Sequence, residues 1–97
     1  GANFSNVDFR YANCEDADFR HTNFYGANCN GANFQDANFV GADFRYASFI
    51  CTNFKDASFI SANCEKANFN GADVSYADFK DADCEGANLV MLNDRGI

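Results

Sequence analysis

Phenylalanine recurs in this sequence with a strict period of five residues. All 12 phenylalanines lie a multiple of five positions from Phe4, and the other positions of that series, up to Leu89, hold only Cys, Val or Leu. This period matches neither the two-residue alternation of a strand nor the 3.6-residue turn of an α-helix, so neither element can carry these side chains on one face. The chain must therefore change direction once in every repeat.

The other positions of the repeat are almost as regular. Up to Ala87, Ala stands two residues before each central position except at Val7, Thr22 and Thr52, and Asn, Asp or Ser stands one residue before it. A small and a large apolar residue in every repeat can be buried together only if the chain closes into coils that stack and pair as in a parallel sheet. The pattern predicts an all-β solenoid.

Runs such as Ala-Asn-Phe, Ala-Asp-Phe and Ala-Asn-Cys, spaced five residues apart, resemble the pentapeptide-repeat proteins, and the resemblance covers residues 1–92. It implies a right-handed, four-sided parallel β-helix with four pentapeptides per coil, which is about four and a half coils for this chain. We assign residues 1–92 to the β-helix and residues 93–97 to a C-terminal tail. Residues 20 apart then stack, which predicts one continuous aromatic ladder formed by Phe19, Phe39, Phe59 and Phe79.

The polar residue before each central position is interpreted as a turn former, because short Asn, Asp and Ser side chains bond to nearby backbone groups. Several glycines share one corner position, where a permissive backbone is useful: Gly26, Gly31, Gly41, Gly71 and Gly86. The sequence contains no nucleophile and base pair and no phosphate-binding glycine loop, and an interior filled by Phe leaves no concave site. We therefore expect neither enzymatic activity nor a cofactor.

The 5 cysteines do not predict a disulfide framework. Most occupy central positions that Phe fills elsewhere, where a thiol acts as a small apolar side chain: Cys14, Cys29, Cys64 and Cys84. Cys51 lies at a variable corner and is expected to be exposed. No two cysteines have the spacing typical of zinc ligands, and no Cys lies at ligand spacing from His21. We therefore expect no metal site. Unpaired thiols favour a reducing compartment, so we expect a cytoplasmic protein. No apolar stretch of the sequence is long enough to span a membrane.

The net charge of −7 is distributed unevenly. With 20 residues per coil, one side has only Lys55 to oppose a group of acids: Glu15, Asp16, Asp36, Asp56 and Asp73. The neighbouring side carries only Asp8 and Arg10. Asp16, Asp36 and Asp56 should stack on successive coils, roughly 5 Å apart. The simplest interpretation is a solvated surface that keeps the protein soluble and limits lateral aggregation.

These features predict a non-enzymatic structural or protein-interaction solenoid whose protein partner the sequence does not identify. The alternative is an acidic DNA mimic, because regularly spaced carboxylates imitate phosphates. The resemblance implies this alternative, since some pentapeptide-repeat proteins bind the bacterial type II topoisomerase gyrase and relieve its inhibition by quinolones. The shortness of the array and the lack of a loop interrupting the repeats favour the first reading. No basic patch with interleaved aromatic residues indicates direct binding of nucleic acid.

The five-residue pattern is lost in the last residues, from Leu89 to Ile97. An open coil is an unpaired edge, and solenoids usually cover such ends. The apolar residues here either fold over the last coil or join two copies. We predict self-association into an end-to-end homodimer through Val90, Met91, Leu92 and Ile97. Residue 1 is in register with the repeat and is not Met, so we expect the chain to be processed, trimmed or excised from a longer protein.

Overall fold

The chain winds into stacked coils of 20 residues, as seen in a computed structural model that describes residues 1–96. Every β-bridge is parallel and pairs a residue with the one 20 positions later, from Asn3 with Asn23 to Asp73 with Asn93. Each pairing is an isolated bridge, and residues 1–96 contain no helix and no longer strand. The predicted all-β coil of four pentapeptides is confirmed.

Each coil has four faces, because every pentapeptide contributes one bridge and one turn. We name the faces by their central residues. Face 1 contains Phe4, Phe24, Phe44, Cys64 and Cys84, and face 2 contains Phe9, Cys29, Phe49, Phe69 and Leu89. Face 3 contains Cys14, Phe34, Phe54 and Val74, and face 4 contains Phe19, Phe39, Phe59 and Phe79. The molecule measures 30 × 27 × 25 Å along its principal axes.

One hydrogen-bond pattern forms the turns between faces. The Ala37 N–H donates to the carbonyl of Phe34 (3.1 Å), and the Gln35 N–H donates to Asn33 Oδ1 (3.1 Å). Asp36, at the corner, has a φ of 61°. This is the geometry of a type II turn, whose third residue needs a positive φ. The side chain of every Asn or Asp at the position before a central residue caps its turn in this way, which confirms the predicted turn-forming role for these two residue types. The prediction was wrong for Ser: Ser48 Oγ donates to Asn30 Oδ1 instead, and Ser58 Oγ has no hydrogen-bond partner within residues 1–96.

The core consists of central residues and alanines that point inward from all four faces. On face 4, ring centroids are 5.4 Å apart between Phe19 and Phe39, 5.2 Å between Phe39 and Phe59, and 4.6 Å between Phe59 and Phe79. The predicted aromatic ladder is therefore confirmed. Rings of adjacent faces meet edge to face, as Phe39 and Phe44 do at 4.9 Å and 71°, which is a favourable arrangement of aromatic quadrupoles.

The core is covered on its four sides and open at both ends. The central side chains of the terminal coils are only partly buried: Phe4, Phe9, Cys14, Phe19, Phe79 and Cys84. Thr52 replaces Ala inside the core without leaving a polar atom unpaired, because its Oγ1 donates to the Cys29 carbonyl (2.8 Å). The preceding coil thus supplies the hydrogen-bond acceptor for the hydroxyl that Thr52 brings into the core.

The backbone ladder continues past residue 92, the predicted end of the array. Asn93 pairs with Asp73, and the Tyr76 N–H donates to the Arg95 carbonyl at 2.7 Å. The ladder therefore runs into the segment assigned to the tail.

The corner at Met91 departs from the repeat. Every corner residue from Asn6 to Gly86 has a positive φ, whereas Met91 does not. The Met91 N–H closes a tighter turn onto the Leu89 carbonyl (2.9 Å), and the Leu92 N–H donates to the Ala72 carbonyl (2.9 Å). As a result Met91 packs against the open end of the core, while Leu92 is 77% exposed.

Candidate interaction surfaces

The predicted acidic ladder lies at the corner after face 3. Asp16, Asp36 and Asp56 are all exposed and have φ values of 63°, 61° and 59°. In residues 1–96 their carboxylates take part in no salt bridge. A positive φ is tolerated best by Gly, Asn and Asp, so the backbone alone gives a reason for Asp at these corners.

The other two predicted members of the acidic group differ from one another. Glu15 is exposed beside the ladder. Asp73 is half-buried, and its carboxylate accepts hydrogen bonds from the Ser75 N–H (3.0 Å) and from the Ser75 hydroxyl. Asp73 therefore caps a turn, which leaves Glu15 and the three stacked aspartates as the freely presented acids on this side.

Three further acids are neutralised by an arginine two residues later. Arg10, Arg20 and Arg45 each follow an Asp-Phe pair, and their Nη2 atoms lie 2.8, 2.7 and 2.7 Å from the carboxylates of Asp8, Asp18 and Asp43. Nε of each arginine donates to the same carboxylate, which makes a fork of parallel hydrogen bonds. The Asp-Phe-Arg triplet, which recurs at residues 8–10, 18–20 and 43–45, is the sequence signal of these pairs, and the predictions made from the sequence do not include them.

The fork lowers the pKa of Asp8 to about 2, because hydrogen bonds from the Arg10 side chain and backbone favour the charged carboxylate. Arg10→Gln should return this pKa toward 3.8, as measured by an NMR pH titration of the side chain. Because the pKa is lowered in the folded protein, the pair stabilises the fold at pH values above the ordinary Asp pKa. This stabilisation disappears as the pH falls toward 2. The pKa of Asp18, held by its own arginine, is the internal control and should not move. An unchanged Asp8 pKa in the variant would contradict the assignment.

An aromatic and basic strip occupies the corner after face 1. The rings of Tyr25 and Tyr46 lie 5.5 Å apart and are 38% and 53% exposed. The Arg45 guanidinium sits 5.3 Å from the Tyr25 ring centre, and Lys66 Nζ sits 5.6 Å from that of Tyr46. Each tyrosine is therefore held in place by a cation–π contact. The sequence predicts that the tyrosines are exposed, but nothing in it shows that they meet.

The C-terminal end carries the residues predicted to mediate self-association. Leu89, Val90 and Leu92 are 49%, 69% and 77% exposed, whereas Met91 is partly buried against the core. Ile97 lies outside the described residues. Self-association itself stays a prediction.

Val90→Asp with Leu92→Asp should abolish concentration-dependent dimerisation, because two carboxylates would be desolvated in an apolar contact. Sedimentation velocity over a range of protein concentrations measures this. Tyr11→Asp, at a corner of the first coil that is 81% exposed, is the matched control and should leave the equilibrium unchanged. A wild-type chain that stays monomeric at the highest concentration would contradict the prediction.

The thiols differ in environment. Burial raises the pKa of Cys29 to about 12. The neighbouring Cys64 thiol lowers the pKa of Cys84 to about 7, whereas the interaction with Cys84 and burial raise the pKa of Cys64. Cys51 is exposed, as predicted. Residues 1–96 contain no group of three His, Cys, Asp or Glu side chains placed to hold a metal.

Comparison with known proteins agrees with this geometry. A family model described as pentapeptide repeats matches residues 2–39 and 37–75, with 8 copies. The chain belongs to the pentapeptide-repeat family. No curated protein matches it closely enough to count as a relative. As in the solved structures of this family, the four-sided coil is a right-handed β-helix.

Three solved pentapeptide-repeat structures illustrate the likeness. HetL, involved in heterocyst differentiation regulation in the cyanobacterium Nostoc, is 22% identical with a TM-score of 0.64, and the match covers 91% of this chain and 47% of HetL. A protein of the Arabidopsis thaliana thylakoid lumen is 30% identical (TM-score 0.49; 92% and 59% covered). QnrB1, a plasmid-mediated fluoroquinolone resistance protein, is 28% identical (TM-score 0.46; 90% and 48% covered). The chain thus spans about half the length of these structures.

In this pentapeptide-repeat protein, the part of the chain that the structure describes has no helix that is long and apolar enough to cross a membrane.

Proposed function

We propose that this protein is a non-enzymatic scaffold that binds a protein partner through its outer surface. The observation that supports this is the complete filling of the interior. Phe24, Phe34, Phe39, Phe44 and Phe54 are all 0% exposed, so side chains that could recognise a partner must point outward. The ladder of backbone hydrogen bonds fixes these side chains about 4.8 Å apart from coil to coil. Such a surface is preorganised, which reduces the entropy lost on binding.

The strip formed by Tyr25, Arg45, Tyr46 and Lys66 is the part of the surface best suited to such binding. Tyrosine and arginine are enriched among the residues that contribute most to protein interfaces. Here their mutual contacts hold both rings in place before any partner arrives. The aromatic faces bury apolar area on binding, and the hydroxyl groups remain available for hydrogen bonds.

A photo-crosslinking amino acid at position 46, used in the native host lysate, tests this proposal. We expect a discrete protein adduct that is lost when Tyr25 is changed to Ala. Tyr76→Ala is the matched control, because Tyr76 is also 53% exposed but lies on a different corner. An adduct that survives Tyr25→Ala, or that is lost equally in the control, would argue against this strip as the binding surface.

The acidic ladder supports a second candidate, mimicry of DNA toward a bacterial type II topoisomerase such as gyrase. Its three carboxylates are exposed and unpaired in salt bridges within residues 1–96. Stacking gives one charge per about 4.8 Å, against one per about 1.7 Å along duplex DNA. The ladder therefore has roughly a third of the charge density of DNA, which places this candidate second.

Changing Asp16, Asp36 and Asp56 together to Asn isolates the charge, because Asn is also well tolerated at a positive φ and the fold should persist. If the mimicry holds, the parent chain inhibits DNA supercoiling by gyrase and the triple variant inhibits it less. A matched triple, Glu65→Gln, Asp81→Asn and Glu85→Gln, removes equal charge from another side and should inhibit like the parent. No inhibition by the parent at high micromolar concentration would exclude this candidate for the chain.

A further inference from the structure

Two cysteines stack directly on one another at the C-terminal end of face 1. Asn63 pairs with Asp83, and the Cys64 N–H donates to the Asp83 carbonyl at 2.6 Å, so Cys84 follows Cys64 in the same inward column. The two side chains are therefore neighbours in this column. Within residues 1–96, no other pair of cysteines occupies successive positions of one column.

The irregular corner at Met91 brings a third sulfur to the same place. In the regular repeat this position is an outward corner with a positive φ, but Met91 adopts neither feature and packs against the core. A depression of about 240 Å³ opens there, lined by Phe79, Cys84, Leu89 and Met91. Cys84 and Met91 thus face one apolar opening, with Cys64 directly beneath Cys84.

We propose that this end of the β-helix is a binding site for a soft, monovalent metal ion of the Cu(I) class. Cys64 and Cys84 supply two thiolate ligands, and the Met91 thioether is the third donor. Each thiol releases its proton to solvent when the ion binds. The complex then carries one net negative charge.

The spacing of the coils suits a bridging ion better than a disulfide. Two metal–thiolate bonds of about 2.3 Å place the sulfurs up to about 4.6 Å apart. Stacked side chains in this core are separated by similar distances, such as 4.6 Å between Phe59 and Phe79 and 5.2 Å between Phe49 and Phe69. A disulfide needs a sulfur separation of about 2 Å and Cβ atoms roughly 3.5–4.5 Å apart. The backbone ladder opposes that closer approach.

The chemistry of the lining selects the kind of ion. Neither an imidazole nor a carboxylate lines the depression, which contains only aromatic, aliphatic and sulfur-bearing side chains. Thiolate and thioether ligands prefer soft ions such as Cu(I), whereas Mg²⁺ and Ca²⁺ need oxygen donors. Phe79 and Leu89 supply the apolar part of this lining.

The test is an anaerobic titration of the reduced protein with Cu(I) in competition with a chromophoric Cu(I) chelator. We expect one ion per chain. Loss of an outer-shell partner typically weakens metal binding about 10- to 100-fold, so loss of a direct ligand in Cys84→Ser should exceed about 100-fold. Met91→Leu keeps the apolar volume and should weaken binding less. X-ray absorption spectroscopy of the loaded protein should show a shell made only of sulfur.

Cys51→Ser is the matched control, because Cys51 is an exposed thiol outside this site, and it should bind Cu(I) as the wild type does. Circular dichroism checks that each variant is folded, which is expected for Cys84→Ser because Cys84 is only half-buried. The proposal is overturned if the wild type does not compete for Cu(I), if Cys84→Ser retains wild-type affinity, or if Cys51→Ser loses it. Rapid closure of a Cys64–Cys84 disulfide in air, unaffected by Cu(I), would also overturn it.

Discussion

Phe39→Ala is expected to lower the free energy of unfolding by about 3–5 kcal/mol. Phe39 is 0% exposed and stacks 5.4 Å from Phe19 and 5.2 Å from Phe59. Removing its ring leaves a cavity in the middle of the ladder. The coils cannot close this cavity, because the Phe39 N–H donates to the Ser58 carbonyl at 2.7 Å and similar bonds hold every neighbouring coil at its spacing. Chemical denaturation followed by circular dichroism measures the loss.

Phe79→Ala is the matched control for this prediction. Phe79 ends the same ladder at the open C-terminal coil, where it is only partly buried. Its removal opens a space that water can enter, so we expect a clearly smaller loss than for Phe39. A loss below about 1 kcal/mol for Phe39→Ala would mean that the ladder relaxes around the missing ring, against the rigid spacing inferred here.

Gly41→Val is expected to destabilise the fold by about 2–4 kcal/mol. Gly41 has a φ of 69°, and a β-branched residue is strained in that conformation. A Cβ atom at this position would also lie 2.6 Å from Cε1 of His21, whose ring leans over Gly41 from the preceding coil. Backbone strain and overpacking therefore add. Thermal or denaturant unfolding measures the effect.

A double-mutant cycle separates the two causes. Combining Gly41→Val with His21→Ala removes the ring but keeps the strained backbone, so about 1 kcal/mol or more of the loss should return. If Gly41→Val lowers the free energy of unfolding equally with and without the His21 ring, the packing contact does not contribute to the destabilisation. Full recovery in the double variant would instead mean that the positive φ carries no cost.

The surface was less predictable than the core. Exposure of the stacked aspartates and of Cys51 could be read from the repeat. The Tyr25–Tyr46 contact could not be predicted from the repeat, because the two residues occupy different positions of it and meet only across a corner. A count of charges groups Asp73 with the outward acids, although its position before Val74 predicts the turn-capping role that its carboxylate has. The position within the repeat therefore predicts the role of this acid better than its charge does.

The sequence by itself determined the architecture, since a large apolar residue every five positions can be buried only by a chain that turns once per repeat and stacks on itself. It also determined which residues point inward and which side chains cap the turns. Only the tertiary structure decided how successive coils meet: a large corner side chain lies over a glycine 20 residues later, as Tyr11 does over Gly31 and His21 over Gly41. It likewise decided that Met91 turns inward beside Cys84. Those relations depend on contacts between coils, and contacts between residues far apart in the chain are set by packing in three dimensions rather than by the local repeat.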